Sequence, residues 1–145
     1  MSSHPKRSFE DLSVGKSFEA VLVENLTRTQ IVQYAGASGD FNPIHHDEPF
    51  AKQAGYPSVF AHGMLSMGLA GRLLTDWLGD GVLRSFGVRF VRQVWPGDTL
   101  TGRATVRSLE PGPGEGLVAI DVVATNQKGE AVVTGEATAA LPRRG

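Results

Sequence analysis

Residues 62–78 read HGMLSMGLAGRLLTDWL, and this stretch decides how the rest of the chain can be arranged. Its side chains are apolar on nearly every side of a helix, apart from Arg72 and Asp76, which are spaced as an i, i+4 pair. A helix that is hydrophobic all round belongs in the interior of a protein. The stretch therefore predicts one long, buried helix against which the other elements must pack.

The second half of the chain changes from helical to alternating periodicity, which is typical of β-strands. Apolar residues alternate with polar or small residues in four segments, at 84–92, 100–107, 118–124 and 131–139. Short turns rich in glycine or proline separate these segments, and strands that are joined by short turns must be antiparallel. A further strand is predicted earlier in the chain, at residues 17–26.

Such a sheet has one apolar face, and that face needs a cover. The 62–78 helix is the only predicted element that is large enough to provide it. We therefore predict an α+β fold in which a curved antiparallel sheet wraps around one central α-helix. The chain of 145 residues is expected to form a single domain over residues 1–145, with residues 1–16 as a loose N-terminal lead-in.

An earlier helix is marked by its first residues. Thr27 and Gln30 have the spacing of a capping box, in which each side chain binds the backbone N–H of the other residue. The helix is expected to end near Gly36 or Gly39. Asp40 therefore begins a loop just beyond a helix C-terminus.

Composition excludes several classes of function. Lys plus Arg total 14 against 15 for Asp plus Glu, so the net charge of −1 gives no electrostatic basis for binding nucleic acid or an anionic membrane. The absence of cysteine excludes disulfides, thiolate catalysis and thiolate metal sites. No segment has the pattern of a signal peptide or of a membrane span, so a cytoplasmic location is expected.

The loop after the first helix concentrates polar side chains that can perform chemistry. Within residues 40–47 it carries Asp40, Asn42, His45, His46 and Asp47. Gly39 and Pro43 favour a turn here, and ordered loops are where functional groups are usually presented. The arrangement allows three interpretations.

The first interpretation is structural, with Asp40 and Asn42 binding local backbone amides in Asx turns. The second is a metal site that uses Asp40, His45, His46 and Asp47, but this set lacks a recognised ligand spacing. The third is acid–base catalysis. A carboxylate and an imidazole five residues apart, bent around Pro43, can converge on one water molecule, and the imidazole titrates near neutral pH.

A second short stretch, Ala61-His62-Gly63-Met64, supplies what such a pair lacks. Gly63 is expected at the start of the buried helix, where unpaired N–H groups and the helix dipole favour negative charge. Because Gly63 has no side chain, a carbonyl oxygen can approach its N–H closely and be stabilised as it becomes an enolate. For His62, an orienting or packing role is favoured over a catalytic one.

Taken together, the two stretches resemble the MaoC-like hydratases, the (R)-specific enoyl-CoA hydratase family. The resemblance rests on Gly39-Asp40-Phe41-Asn42-Pro43-Ile44-His45, on Ala61-His62-Gly63-Met64 downstream, and on the turn Trp95-Pro96-Gly97-Asp98 before a late strand. It spans roughly residues 28–106. The order and spacing of the motifs look especially similar to the (3R)-hydroxyacyl-ACP dehydratase subunits of mycolic-acid synthesis.

The resemblance implies a hotdog fold that dimerises edge to edge. It also implies reversible hydration of a trans-2-enoyl thioester to the (3R)-3-hydroxyacyl thioester, with no metal and no redox cofactor. By matching motif positions, Asp40 and His45 become the catalytic pair that holds water, and Asn42 becomes an orienting group. The N–H of Gly63 becomes the oxyanion donor, flanked by His62 and Met64 in the substrate-binding stretch.

One position departs from the family pattern. Some members place a serine in the central helix near the catalytic water, and the matching residue here is Gly71. Ser66 lies more than one turn earlier and does not obviously replace that serine. The departure concerns the path of the proton and leaves the assignment of Asp40 and His45 intact.

Three functions other than a homodimeric hydratase stay open. The chain can be the catalytic subunit of a heterodimeric dehydratase, a hotdog acyl-thioesterase, or a non-catalytic thioester-binding module. The carrier of the acyl group, CoA or ACP, is also open. Several arginines of the predicted sheet could meet phosphates or an acidic carrier protein, although a solvated sheet face is the expected setting for Arg84, Arg89, Arg92, Arg103 and Arg107.

Overall fold

The computed structural model describes residues 4–145, which form three α-helices, five β-strands and two short 3-10 turns. The helices are α1 (Arg28–Ser38), α2 (Glu48–Gln53) and α3 (Gly63–Leu78). The strands are β1 (Ser17–Val23), β2 (Leu83–Phe90), β3 (Leu100–Glu110), β4 (Glu115–Thr125) and β5 (Ala131–Pro142). The predicted α+β class is confirmed, and every predicted strand is present within a few residues of its expected bounds.

The strands form one antiparallel sheet in the order β1-β3-β4-β5-β2. Helix α3 lies against this sheet and contacts all five of its strands. Leu73, Leu74 and Leu78 of α3 are fully buried there, together with Leu100 and Ile120 from the sheet. The predicted arrangement of a sheet around one central helix is therefore confirmed.

Alternating burial along the strands explains why the chain folds in this way. In β3 the inward positions Leu100, Ala104 and Val106 are buried, whereas Arg103 and Arg107 point to solvent. Gly102 lies directly under α3, where an added Cβ would come within 2.9 Å of the Leu73 side chain. The absence of a side chain at this position allows the helix to approach the sheet closely.

Helix α1 begins and ends as its sequence indicates. Thr27 Oγ1 accepts a hydrogen bond of 3.0 Å from the Gln30 N–H, and Gln30 Oε1 accepts one of 2.9 Å from the Thr27 N–H. Gly39 ends the helix in the left-handed conformation, with φ of 75°. Asp40 is therefore the first residue of the loop, which confirms the predicted boundary.

The N-terminal lead-in is held more firmly than predicted. The backbone N–H of Arg7 donates to Leu78 O over 2.9 Å, and its Nε donates to Trp77 O over 2.8 Å. Phe9 and Leu12 are buried in the main core. From residue 4 onward the segment is thus fixed to the C-terminal end of α3, because two apolar side chains and paired backbone groups tie it down. Residues 1–3 of the lead-in lie outside the described residues.

The outward face of the sheet carries paired charges. Arg107 lies 3.0 Å from Asp121 and 3.1 Å from Glu136, and Arg103 lies 3.8 Å from Glu19. These exposed pairs agree with the expectation of a solvated sheet face. Within residues 4–145, no helix is both long enough and apolar enough to cross a membrane. The cytoplasmic location stays a prediction.

The contact between β2 and β5 yields a test of the sheet. An added Cβ on Gly135 would lie 2.2 Å from the backbone oxygen of Gly87. Because that neighbour is backbone, it cannot move without shifting β2. We expect Gly135→Ala to lower the free energy of unfolding by about 1–3 kcal/mol, measured by urea denaturation.

Gly36→Ala is the matched control. It lies within α1, and an added Cβ meets no atom within 4 Å. This change should raise the free energy of unfolding by about 0.5–1 kcal/mol, because alanine restricts the unfolded chain more than glycine does. A Gly135→Ala protein as stable as the unmodified chain would contradict the close packing of these two strands.

Candidate active site

The loop from Asp40 to His45 is fixed by two successive Asx turns. Asp40 Oδ1 accepts a hydrogen bond of 3.2 Å from the Asn42 N–H, and Asn42 Oδ1 accepts one of 3.1 Å from the Ile44 N–H. The structural interpretation of the loop is therefore correct for both residues. It does not exclude chemistry, because Asp40 is exposed and its second carboxylate oxygen accepts no hydrogen bond from any residue within 4–145.

His45 closes this turn and points inward. Its side chain is 8% exposed, and its Nδ1 lies 2.6 Å from the carbonyl oxygen of Phe60. Since a carbonyl only accepts, Nδ1 carries the proton and Nε2 holds the lone pair of the neutral ring. Burial lowers the pKa of His45 below its usual value, so the ring is held in the neutral form that can accept a proton.

His62 connects the start of α3 to the loop. It is 2% exposed, and its Nε2 donates to the backbone oxygen of Asp40 over 3.0 Å. Its ring stacks on that of His45 with the centroids 3.8 Å apart, and the ring of Tyr34 packs edge-on against it at 4.9 Å. The two sequence motifs are thereby brought together. A carboxylate oxygen of Asp40, a ring nitrogen of His45 and a ring nitrogen of His62 all lie within 4.8 Å of one another.

These three residues do not have the geometry that a metal ion needs. The rings of His45 and His62 are inclined by only 25°, so their nitrogen lone pairs lie in two nearly parallel planes. Lone pairs in such planes do not converge on an ion about 2.1 Å from each nitrogen. The ligand set considered from the sequence is not assembled either. His46 Nε2 binds the carbonyl oxygen of Phe41, and Asp47 caps α2 by accepting from the Phe50 N–H.

The beginning of α3 offers hydrogen-bond donors to a cavity. His62 occupies the N-cap position without a side-chain cap, and neither the Gly63 nor the Met64 N–H donates to another described residue. Gly63 lines a cavity of about 270 Å³ together with Ser66, Phe60 and Phe90. An oxygen that enters this cavity can reach the positive end of the helix dipole.

Asp40 and His45 do not line this cavity themselves. Phe60 links His45 to the cavity, because Phe60 is one of the lining residues and its carbonyl oxygen binds His45 Nδ1. Met64 is 56% exposed and is not part of the lining. Of the residues named from the sequence, the structure thus joins Asp40, His45 and His62, and it places Gly63 next to them.

Ser66 is a residue of the site that sequence reasoning did not assign. Its side chain is 4% exposed and lines the same cavity as Gly63. The sequence feature that could have identified Ser66 is its position three residues after Gly63, which puts both residues on the same face of the predicted helix. It places a hydroxyl group close to the helix N-terminus.

Comparisons with known proteins support a catalytic interpretation of this geometry. The family model described as MaoC like domain matches residues 10–128. The chain is 35% identical over 139 residues to the (R)-specific enoyl-CoA hydratase of Rhodospirillum rubrum, covering 94% of this chain and 93% of that protein. It is 44% identical over 79 residues to the 3-hydroxyacyl-thioester dehydratase Y of Mycobacterium tuberculosis, covering 52% of this chain but 27% of that longer protein.

A solved structure gives the same result for the fold. The unliganded R-hydratase PhaJ1 from Pseudomonas aeruginosa superposes with a TM-score of 0.85 and 28% sequence identity, over 99% of this chain and 90% of that chain. The predicted hotdog fold is confirmed by this likeness.

The buried state of His45 makes a prediction about pH. Burial lowers the pKa of His45 from 6.5 in the folded protein. Below about pH 6.5 the unfolded chain therefore binds a proton at His45 more readily than the folded chain does, which favours unfolding. We expect the free energy of unfolding to fall as the pH drops from about 7 to about 5, and to fall less steeply in His45→Gln. Urea denaturation at each pH measures the slopes, and proton NMR follows the titration of His45. Equal slopes for the two proteins would contradict a buried, neutral His45.

Proposed function

Because the chain belongs to the MaoC-like family, we propose that it catalyses the reversible hydration of trans-2-enoyl thioesters to (3R)-3-hydroxyacyl thioesters. We propose that residues 1–145 act as a single MaoC-like hotdog domain. The acyl group of the substrate is carried by CoA or by ACP. The observation that carries the proposal is the clamp formed by His62, which holds Asp40 and His45 against the start of α3. An acid–base pair and an oxyanion donor are the two components that hydration of a conjugated thioester requires.

In the hydration direction, one water molecule lies between Asp40 and Nε2 of His45. One of these two groups removes a proton from the water as its oxygen forms a bond to C3 of the enoyl chain. The π electrons move toward the thioester carbonyl, and the Gly63 N–H donates to the enolate oxygen that results. When the enolate collapses, the same proton is delivered to C2. One water is consumed, and both side chains regain their starting protonation state.

The remaining residues support this pair. Asn42 orders the turn that presents His45, since its side chain caps the backbone at Ile44. His62 is a positioning residue, because it touches Asp40 and His45 and leaves the reacting atoms to them. Met64, exposed in the first turn of α3, is placed to contact the substrate where it enters. No step of this mechanism uses a metal or a redox cofactor.

We further propose that the chain forms a homodimer through β2. This strand lies at an edge of the sheet, and an edge strand has backbone groups ready to pair with another strand. Phe90, the last residue of β2, and Val91, which follows it, are each at least half exposed. A second copy seated there would cover these apolar side chains next to the cavity. Light scattering of the purified chain separates this homodimer from a subunit that needs a sister chain.

Hydration of crotonyl-CoA is the test of the catalytic pair. We expect the purified chain to remove the ultraviolet absorbance of the conjugated enoyl thioester. Asp40→Asn and His45→Ala should each lower kcat by at least about 100-fold, because each removes a group that exchanges or holds the proton. Chiral analysis of the product should give the R configuration.

Asp47→Asn is the matched control for Asp40→Asn. Asp47 lies on the same loop but caps α2, and asparagine serves this cap equally well. This variant should keep full activity. Release of free CoA without loss of the enoyl group would instead identify a thioesterase. Activity that survives in both Asp40→Asn and His45→Ala would show that the site has been placed wrongly.

The clamp makes a separate prediction for His62. His62→Phe keeps an aromatic ring against His45 but cannot donate to the Asp40 oxygen, whereas His62→Gln keeps a donor and loses the ring. We expect kcat to fall roughly 10- to 100-fold in His62→Phe at nearly constant KM, because the catalytic pair is misplaced. His62→Gln should recover part of that loss. If the side chain served only packing, His62→Phe would be the more active of the two.

A further inference from the structure

The side chain of Ser66 carries a hydroxyl group that the rest of the described chain does not use. Ser66 is 4% exposed, yet its Oγ forms no hydrogen bond with any residue within 4–145. Buried polar side chains are normally hydrogen-bonded, and a serine inside a helix commonly donates to the carbonyl oxygen four residues earlier. That oxygen, on His62, instead accepts from the N–H groups of Leu65 and Ser66, over 3.1 and 3.4 Å. The hydroxyl is therefore left to donate elsewhere.

The unpaired hydroxyl opens into the cavity at the start of α3. Within the described part of the chain, only one side-chain nitrogen or oxygen is both unpaired and fully enclosed by protein, and it is Nδ1 of His62. Ser66 Oγ is unpaired but not enclosed, so it borders open space. That space is the cavity of about 270 Å³, which Ser66 lines together with Gly63.

Ser66 and Gly63 present their donors to the same part of this cavity. The two residues are three positions apart, so they lie on one face of α3. Side chains on a helix lean toward its N-terminus, which brings the Ser66 hydroxyl over the turn that begins at Gly63. An added Cβ on Gly63 would lie 3.2 Å from the ring of Phe90, so this ring bounds the space on the side of β2. An oxygen atom that binds the Gly63 N–H is therefore within reach of the Ser66 hydroxyl.

The surroundings of the two donors strengthen each hydrogen bond. The other residues that line the cavity are apolar, apart from Arg92 and Gln93. In such a setting water competes weakly, and a fixed donor stabilises a negative oxygen far more than it would in water. Gly63 is the first residue of α3, so the positive end of the helix dipole acts on the same oxygen. The pair suits an oxygen that accepts hydrogen bonds and gains negative charge.

Resting on the hydratase function proposed above, we propose that Ser66 is a second oxyanion donor, whose hydroxyl binds the same thioester oxygen as the Gly63 N–H. A carbonyl oxygen only accepts hydrogen bonds, so Ser66 donates and keeps its proton throughout. Both hydrogen bonds strengthen as the carbonyl becomes an enolate, because the acceptor then carries a charge. No covalent bond forms between Ser66 and the substrate. Ser66 is thus a catalytic residue that acts on the carbonyl, while Asp40 and His45 act on the water.

The kinetic test removes the hydroxyl and then restores it. Ser66→Ala deletes one oxygen atom and places a better helix former in α3, so the fold should be retained. We expect kcat for crotonyl-CoA to fall about 10- to 100-fold while KM changes less than about threefold, because the lost interaction is strongest in the transition state. Ser66→Thr keeps the hydroxyl and should retain most of the activity. An unchanged kcat in Ser66→Ala would overturn the proposal.

Ser66→Cys separates hydrogen bonding from the filling of space. A thiol nearly matches the hydroxymethyl group in volume but is a weak donor. We expect this variant to lose activity about as much as Ser66→Ala does. If Ser66→Cys were as active as the unmodified chain, the side chain would serve only to fill the cavity wall, and the assigned role would be wrong.

Thr75→Ala is the matched control. Thr75 also carries a hydroxyl group on α3, but this group donates to the carbonyl oxygen of Arg72 over 3.2 Å and does not line the cavity. The variant removes a hydroxyl from the same helix and leaves the donors at its start in place. We expect kcat and KM to stay at the unmodified values. A loss of kcat equal to that of Ser66→Ala would show that α3 responds as a whole, which would contradict a specific role for Ser66.

Infrared spectroscopy of a bound thioester tests Ser66 without any hydration. Butanoyl-CoA with ¹³C at the thioester carbonyl has no double bond to hydrate, so its spectrum reports the hydrogen bonds to the carbonyl alone. A hydrogen bond draws electrons from the C=O bond and lowers its stretching frequency. We expect the frequency of the complex with the unmodified chain to lie below that with Ser66→Ala, and Thr75→Ala to match the unmodified chain.

The two measurements distinguish failure of this proposal from failure of the hydratase function. If the carbonyl frequency depends on Ser66 while crotonyl-CoA is not hydrated, the donor assignment stands and the hydratase function fails. If crotonyl-CoA is hydrated but the carbonyl frequency is the same with the unmodified chain and with Ser66→Ala, the hydratase function stands and Ser66 is not a donor to the thioester oxygen.

Discussion

The burial of α3 against all five strands is the constraint on which the rest of the structure depends. A helix that is apolar on nearly every side has few polar groups to offer except the backbone groups at its ends. Its C-terminal end is occupied, because Arg7 binds the carbonyl oxygens of Trp77 and Leu78. The N–H of Gly63 is left to face a cavity. The same burial that stabilises the fold therefore presents a hydrogen-bond donor with a positive dipole behind it.

Two histidines convert that helix end into a site. His62, the N-cap residue, uses its side chain to hold the loop carbonyl of Asp40 and does not cap its own helix. Its stacking on His45 places two imidazoles in contact away from water, where a positive charge on the His45 ring is costly. The lowered pKa of His45 follows from that burial first, with the neighbouring His62 adding to it. The clamp thus sets both the position and the protonation state of His45.

The sequence predicted those features that depend on local chemistry. These features depend on residues only a few positions apart. They are the capping box at Thr27 and Gln30, the strands with alternating burial, and the turn after Gly39. The proximity of Asp40 to His45 follows in the same way. The stacking of His62 on His45 and the contact of Phe86 with Gly71 could not be predicted, because they join residues that are 15 or more positions apart and depend on how elements pack. Ser66 was considered from the sequence but given no role for the same reason, since only the packed cavity shows that it lies beside Gly63.

The glycines of α3 show how the helix reconciles its two roles. Each glycine inside a helix costs roughly 1 kcal/mol relative to alanine, so a helix that served only the core would not carry them. At Gly71 the cost is offset by the Phe86 ring, which packs where a side chain would otherwise project. At Gly63 the cost is small, because the first turn of a helix makes fewer internal hydrogen bonds. A helix made entirely of good helix formers would be more stable by itself, but side chains at positions 63 and 71 would meet the rings of Phe90 and Phe86 and hold the helix away from β2.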